Sequence, residues 1–189
     1  MFVDVTASTH WAAEAIRRQS PRRFVTPADN QSMGWAVSAA IGAQRTRPDL
    51  PVACVTGDGC FLMSGLEAST AARAHLPVRF FVLDDGAYHY MQMLQEPLFG
   101  RTTATQLAKL DYAALARGMG LAFLSIESNE QVFGGIAAAL SHPGPILVRV
   151  AISYEGRELR WLESLRSSYL KKMDTGQKAR LAIRALSRA

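Results

Sequence analysis

Hydrophobic and polar positions alternate along this chain in two rhythms. Short apolar, β-branched runs lie at 2–5, 23–26, 51–56, 78–83, 121–126 and 145–150, and each reads as a strand. Between them, Ala-rich stretches with helical spacing cover about 10–18, 32–45, 60–75, 111–118 and 130–140. Thr6-Ala7-Ser8-Thr9, Ser32 and Asp111 stand where helix caps belong, and Pro48 and Pro77 stand where helices must stop. A short amphipathic piece at 91–94 leads into a polar loop at 96–105. Six β-rich runs separated by helices predict an α/β fold: one doubly wound, mostly parallel six-stranded sheet with helices on both faces. No repeat or linker interrupts the pattern, so 1–153 is expected as one domain and 154–189 as a basic helical tail.

The chemistry concentrates between Thr56 and Ala87. The strand at 51–56 runs into Gly57-Asp58-Gly59, and the strand at 78–83 runs into Asp84-Asp85-Gly86. In a βαβ unit both acidic turns fall at the carboxyl ends of neighbouring parallel strands, where open α/β sheets bind ligands. Glycines flanking Asp58 allow a sharp turn and a close main-chain approach. Amides opening the following helix suit a phosphate. Two converging carboxylates suit a hard divalent cation shared with phosphate oxygens, most naturally Mg²⁺.

These residues resemble the cofactor signature of thiamine diphosphate enzymes, Gly-Asp-Gly followed some 24 to 27 positions later by Asn-Asn. Asp58 to Asp85 spans 27 positions, and Gly57-Asp58-Gly59-Cys60-Phe61-Leu62-Met63-Ser64-Gly65-Leu66-Glu67 is similar to the GDGSF-M-x-x-x-E form of the acetolactate synthase and benzoylformate decarboxylase branch. The resemblance implies that Asp58, the Asp85 side chain and the Ala87 carbonyl ligate Mg²⁺, and that the Gly57, Gly59 and Cys60 turn holds the diphosphate. The Asn pair is here Asp84-Asp85. Asp85 can ligate as an Asn does, whereas Asp84 adds a negative charge beside an anionic diphosphate and predicts a lowered affinity.

Flanking segments extend the resemblance over nearly all of 2–152. Gln31-Ser32-Met33-Gly34 and the helix after it look like G-x-MG-x-x-x-PAAIGA. That implies Met33 as the apolar wedge that bends the coenzyme into a V, and the Gln31 carbonyl as acceptor for its aminopyrimidine. Asp4 to Trp11 resembles D-x-G-x-x-x-x-W with Thr6 in place of Gly, which makes Ser8 or Thr9 a candidate diphosphate contact, against plain helix capping.

Charge changes the picture only at the end of the chain. The net formal charge is +5, but nine Lys/Arg against three acids sit from Gly156 onward, so the body is near neutral. No basic reading surface supports nucleic-acid binding. No apolar run long enough to cross a membrane and no signal-peptide pattern exists, and two cysteines do not make a disulfide scaffold, so a reducing cytoplasm is expected. Cys60 has no paired base evident for a nucleophilic thiol. His89 lies just past the acidic turn and could face substrate, while His75 and His142 read as surface residues. In the tail, Leu159, Leu162, Leu165 and Tyr169 form an apolar stripe that could dock a partner subunit.

The resemblance implies a cofactor-binding subunit of a 2-keto acid decarboxylase or carboligase. It further implies a pyrimidine-binding domain from a partner, carrying the Glu that activates the coenzyme, in a homo-dimer or hetero-oligomer. Met1 stands directly before the family-like first strand, so a separately encoded subunit is expected, as in two-subunit sulfopyruvate decarboxylases. A non-catalytic binding or scaffold protein of the same fold is the alternative. A receiver-type phosphoryl-transfer module would want a Lys at the end of a late strand, and 145–150 runs into Ala151-Ile152-Ser153 without one.

Overall fold

A computed structural model describes residues 1–16, 24–156 and 171–186 of the chain. The described chain divides into two compact units, one of Met1–Ala87 with Leu107–Ser153 and one of Tyr88–Gln106 with the residues from Tyr154 onward.

The first unit is built on a parallel sheet of five strands: β1 (Phe2–Val3), β2 (Ala53–Gly57), β3 (Arg79–Asp84), β4 (Ala122–Ile126) and β5 (Ile146–Ala151), in the spatial order β1-β2-β3-β5-β4. The helices are α1 (Ser8–Ala15), α2 (Trp35–Thr46), α3 (Asp58–Ser64), α4 (Ala68–Arg73), α6 (Tyr112–Gly118) and α7 (Val132–Ser141). Alternate residues of the central strands feed two cores, as a sheet covered on both faces requires. Phe80, Val82 and Leu147 join Ala36, Val37, Ala40, Ala71 and Ala116 on one face. Phe81, Ile146 and Val148 join Ile126 and Ala139 on the other.

The sixth expected strand is not one. Val25 makes a single parallel bridge to Phe2, its amide bonding Met1 O at 3.1 Å and its carbonyl accepting Val3 N at 2.9 Å. Pro27 follows two residues later and has no N–H with which to extend a ladder. The second helix also begins later than expected. Gly34, at φ +85°, precedes Trp35, and no side chain of Ser32 caps it. The stretch expected as one helix at 60–75 is α3, a single 3-10 turn at Gly65–Glu67, and α4. Asp111 caps α6 as expected, its Oδ1 accepting Ala114 N at 2.8 Å.

In the second unit, α5 (His89–Phe99) runs past the expected stop near Leu94 until Gly100 ends it at φ +63°. The His89 ring lies 4.6 Å from that of Tyr154, inside this unit. A last helix, α8, spans Thr175–Leu186. The apolar stripe expected at Leu159, Leu162, Leu165 and Tyr169 lies outside the described residues. Among the described residues, no helix is long and apolar enough to cross a membrane.

Candidate functional site

The carboxyl ends of β1, β2 and β3 carry four aspartates, Asp4, Asp58, Asp84 and Asp85, with different fates. Register fixes their height: Val3 pairs with Val55, and Gly57 with Leu83. Asp4, directly after β1, is completely buried. Its Oδ1 accepts Gly34 N at 3.0 Å, and its Oδ2 accepts Ala36 N at 3.2 Å and the Thr56 hydroxyl at 3.4 Å. A remote carboxylate therefore replaces the expected Ser32 cap, satisfying amides at the N-terminus of α2 that have no intrahelical partner. The same side chain ties the Met33-Gly34 turn to the strand that delivers Asp58. Gly34 is required there twice over, by its left-handed φ and because a Cβ would lie 3.0 Å from Ser64 Oγ and 3.2 Å from Met63 Cβ.

Asp58 opens α3 and is almost wholly buried. Its Oδ1 accepts Gly59 N and its Oδ2 accepts Gly86 N, each at 2.7 Å. Gly86 turns at φ +76°, which brings its amide back to β2. Burial, and to a lesser degree the nearby Asp84 charge, raises the Asp58 carboxyl above its ordinary value, against the pull of those amides. Asp85 is pushed up to about 7, by burial first and then by the charge of Asp58. Two acids, each raised by burial and by a neighbouring carboxylate, stand at one edge, and a cation there would relieve both.

Asp84 behaves differently from the expectation that its charge stands open to a ligand. Its Oδ2 lies 2.6 Å from Arg149 Nε, and the Tyr112 hydroxyl donates to its Oδ1 at 3.3 Å. The negative charge that the Asn-to-Asp departure introduces is paired with Arg149 within the sheet, although it still acts on Asp58 and Asp85.

Ala87 is buried in the turn after Asp85. Met33 is half-buried in the turn before α2 and belongs to neither core cluster. Gln31 is exposed with φ +49°, an uncommon conformation for a non-glycine residue. Cys60 is buried, donates its thiol to Val5 O at 3.0 Å, and is pushed up to about 12 by burial, which removes it as a nucleophile. Thr9 donates its hydroxyl to Asp4 O and accepts Thr6 N at 3.0 Å, and Ser8 Oγ lies 2.5 Å from Thr6 Oγ1, so both hydroxyls are engaged in the turn that opens α1. His75 is exposed, and His142 is half-buried in a turn with its Nδ1 3.0 Å from Gly144 O. Among the described residues no group of three or more His, Cys, Asp or Glu side chains is arranged to hold a metal ion. A cation at Asp58 and Asp85 must therefore draw further oxygens from the backbone and from a ligand.

Sequence reasoning missed Asp4 and Arg149 as contributors to this edge. Arg149 left a trace, as a lone charge inside an otherwise apolar strand.

Comparison with known proteins gives concordant results. Residues 4–150 match the family described as thiamine pyrophosphate enzyme, C-terminal TPP binding domain. The chain is 32% identical over 153 residues to the acetolactate synthase isozyme 2 large subunit of Escherichia coli, covering 79% of this chain and 28% of that protein. It is 32% identical over 152 residues to the acetolactate synthase large subunit of Parasynechococcus marenigrum, covering 79% and 24%. Against the acetolactate synthase of Bacillus subtilis the identity is 28% over 151 residues, covering 80% and 26%. The chain thus spans about a quarter of the length of these curated relatives.

Proposed function

This chain belongs to the family of C-terminal cofactor-binding domains of thiamine pyrophosphate enzymes, and from that premise we propose that it binds thiamine diphosphate through Mg²⁺ as the diphosphate-holding part of a 2-keto acid carboligase or decarboxylase. The observation that carries this reading is the meeting of Asp58 and Asp85 at one sheet edge. Asp58 is locked by two amides, and both carboxyls are raised by burial and by a neighbouring acid.

The residues fit the group. The donor set is all oxygen, as Mg²⁺ prefers: the Asp58 carboxylate, the Asp85 carboxylate and the Ala87 carbonyl, completed by diphosphate oxygens. Gly57 and Gly59 shape the turn without side chains, and Cys60 contributes its main chain while its thiol is tied to Val5. Ser8 and Thr9 serve by building the α1 turn beside this edge, with Ser8 the better placed for a diphosphate oxygen because Thr9 both donates and accepts within the turn. Met33 and the Gln31 carbonyl hold the aminopyrimidine side. When bound, the coenzyme supplies a nucleophilic carbon and an electron sink for 2-keto acid chemistry. The chain's own contribution is to hold the metal that offsets the diphosphate charge and to fix the diphosphate at the turn.

A pyrimidine-binding domain bearing the activating Glu comes from a partner, either a second copy or another chain, and the working compartment is the cytoplasm. Exposed Leu62 and Met63 on α3, with Leu66 in the 3-10 turn after it, continue directly from the Asp58 turn and give that partner an apolar surface to cover. The second reading is a non-catalytic scaffold of this fold, favoured by an aspartate at 84 where the family carries Asn. Co-expression with a pyrimidine-binding chain separates them. Consumption of a 2-keto acid by the pair and by neither half supports the catalytic subunit, and an assembled, coenzyme-loaded but inert pair supports the scaffold.

A further inference from the structure

Asp84, Arg149 and Glu127 form a run of alternating charge across three neighbouring strands, at the edge that carries Asp58 and Asp85. The register explains why. Asp84 pairs with Ala151 and Val82 with Arg149, so the side chains of Asp84 and Arg149 lie on one face, one pleat apart. Ser125 pairs with Arg149 on its other side, which brings Glu127, just beyond β4, to the same row. Arg149 Nε donates to Asp84 Oδ2 and its Nη1 to Glu127 Oε1, both at 2.6 Å. The Tyr112 hydroxyl, from α6, reaches the remaining Asp84 oxygen at 3.3 Å.

Burial decides how the guanidinium charge is divided. The Glu127 side chain is 53% exposed, so water screens its attraction, whereas that of Asp84 is 17% exposed and that of Arg149 26%. Most of the Arg149 charge is therefore spent on Asp84. Without it, the field that Asp84 adds to that of Asp58 and Asp85 would be stronger and would repel an incoming diphosphate.

The geometry points to Arg149 as a positioning residue of the diphosphate site: it offsets the charge of Asp84 and holds that carboxylate along the sheet, so that Asp58 and Asp85 face a metal–diphosphate pair. Arg149 touches neither coenzyme nor metal in this account, and the inference rests on the thiamine diphosphate reading of the edge. It also accounts for how this chain accommodates an aspartate where its family resemblance calls for Asn.

The test is a double-mutant cycle read by calorimetric titration of thiamine diphosphate, at saturating Mg²⁺ and low ionic strength, into the intact chain. R149M is expected to weaken binding about tenfold, the effect of one uncompensated like charge in a partly solvated site. D84N is expected to bind as tightly as the unaltered chain or tighter. The double variant D84N/R149M should recover to within about threefold, a rescue that mere structural damage at 149 would not show. R149Q, which keeps a hydrogen-bond donor for Asp84 but no charge, should weaken binding as R149M does, and stands in for it where R149M does not fold. Unchanged affinity in R149M or R149Q, or a double variant as weak as the single, overturns the inference while leaving the thiamine diphosphate reading intact. Absence of binding by the unaltered chain overturns both.

Discussion

The carboxylate of Asp58 accepts the amide of Gly86 at 2.7 Å, closing the end of β2 onto the turn after β3 across 28 positions of sequence. The bond holds the Asp58 carboxylate in place without any ligand, so that the proposed metal site would have one ligand already oriented. Removing that carboxylate has two separable effects. Asp58→Ala is expected to lower Mg²⁺-dependent thiamine diphosphate affinity by at least about a hundredfold, beyond what loss of an outer-shell partner does. It should also cost roughly 1–3 kcal/mol of stability, because the Gly59 and Gly86 amides lose their acceptor. Titration calorimetry and denaturant unfolding measure the two effects independently.

Acidity at this edge makes a second prediction. The Asp85 carboxyl is pushed up to about 7 in the folded chain, by burial and then by Asp58, against an ordinary carboxylate value of 3.8 when unfolded. The folded state therefore holds this proton more tightly than the unfolded state does. Its contribution is full below about pH 4 and is lost as pH rises through about 7. In the metal-free chain the melting temperature should consequently fall across that window by a component that Asp85→Asn abolishes. Mg²⁺ with thiamine diphosphate should bind better at pH 8 than at pH 6, since the cation needs the ionised form. A melting temperature with the same pH slope in the Asp85→Asn chain contradicts this account.

Asp4 predicts a stability effect that spreads to the site. Its two oxygens satisfy Gly34 N, Ala36 N and the Thr56 hydroxyl in a fully buried position. Asp4→Ala is expected to cost about 3 kcal/mol or more, because buried donors lose their partner. In the folded fraction, coenzyme affinity should fall too, as the Met33-Gly34 turn loses its tie to β2. Urea unfolding followed by titration below the melting temperature checks both.

Gly34→Ala should be harmful by about 1–2 kcal/mol from its left-handed backbone alone, with more added by the approach of Met63 and Ser64. Gly42→Ala, on the open face of the following helix where a Cβ meets nothing within 4 Å, should be neutral or stabilising by up to about 1 kcal/mol. A pair of thermal melts distinguishes the two positions.

The strand–turn–helix–strand unit around Asp58 and Asp85 was legible because each of its signals is local: apolar runs, glycines and acids at fixed spacing. Asp111 as a cap was legible for the same reason. The start of α2 was not, because its cap lies 30 positions away in Asp4, and no local rule finds a remote carboxylate. The run at 23–26 looked like a strand by composition, but pairing is a tertiary property, and Pro27 confines it to one bridge at Val25. Asp84 read as an open charge because the sequence does not display the register that sets Arg149 beside it. The buried Arg79 is a parallel case: a charge at the head of an apolar strand, it caps α7 by donating to Leu140 O and His142 O, each at 3.0 Å. A lone arginine in an apolar strand is thus a readable sign of a buried acceptor, although the acceptor itself must be seen in three dimensions.

Asp58 and Asp85 are proposed to share one magnesium ion with a diphosphate. Calorimetric titration of thiamine diphosphate into the intact chain, with Mg²⁺ and with EDTA, tests that proposal most directly. Saturable binding in the micromolar range or weaker is expected with Mg²⁺, none with EDTA, and none with Mg²⁺ in Asp58→Ala. Equal heats from the Asp58→Ala chain, or binding indifferent to the metal, would contradict it.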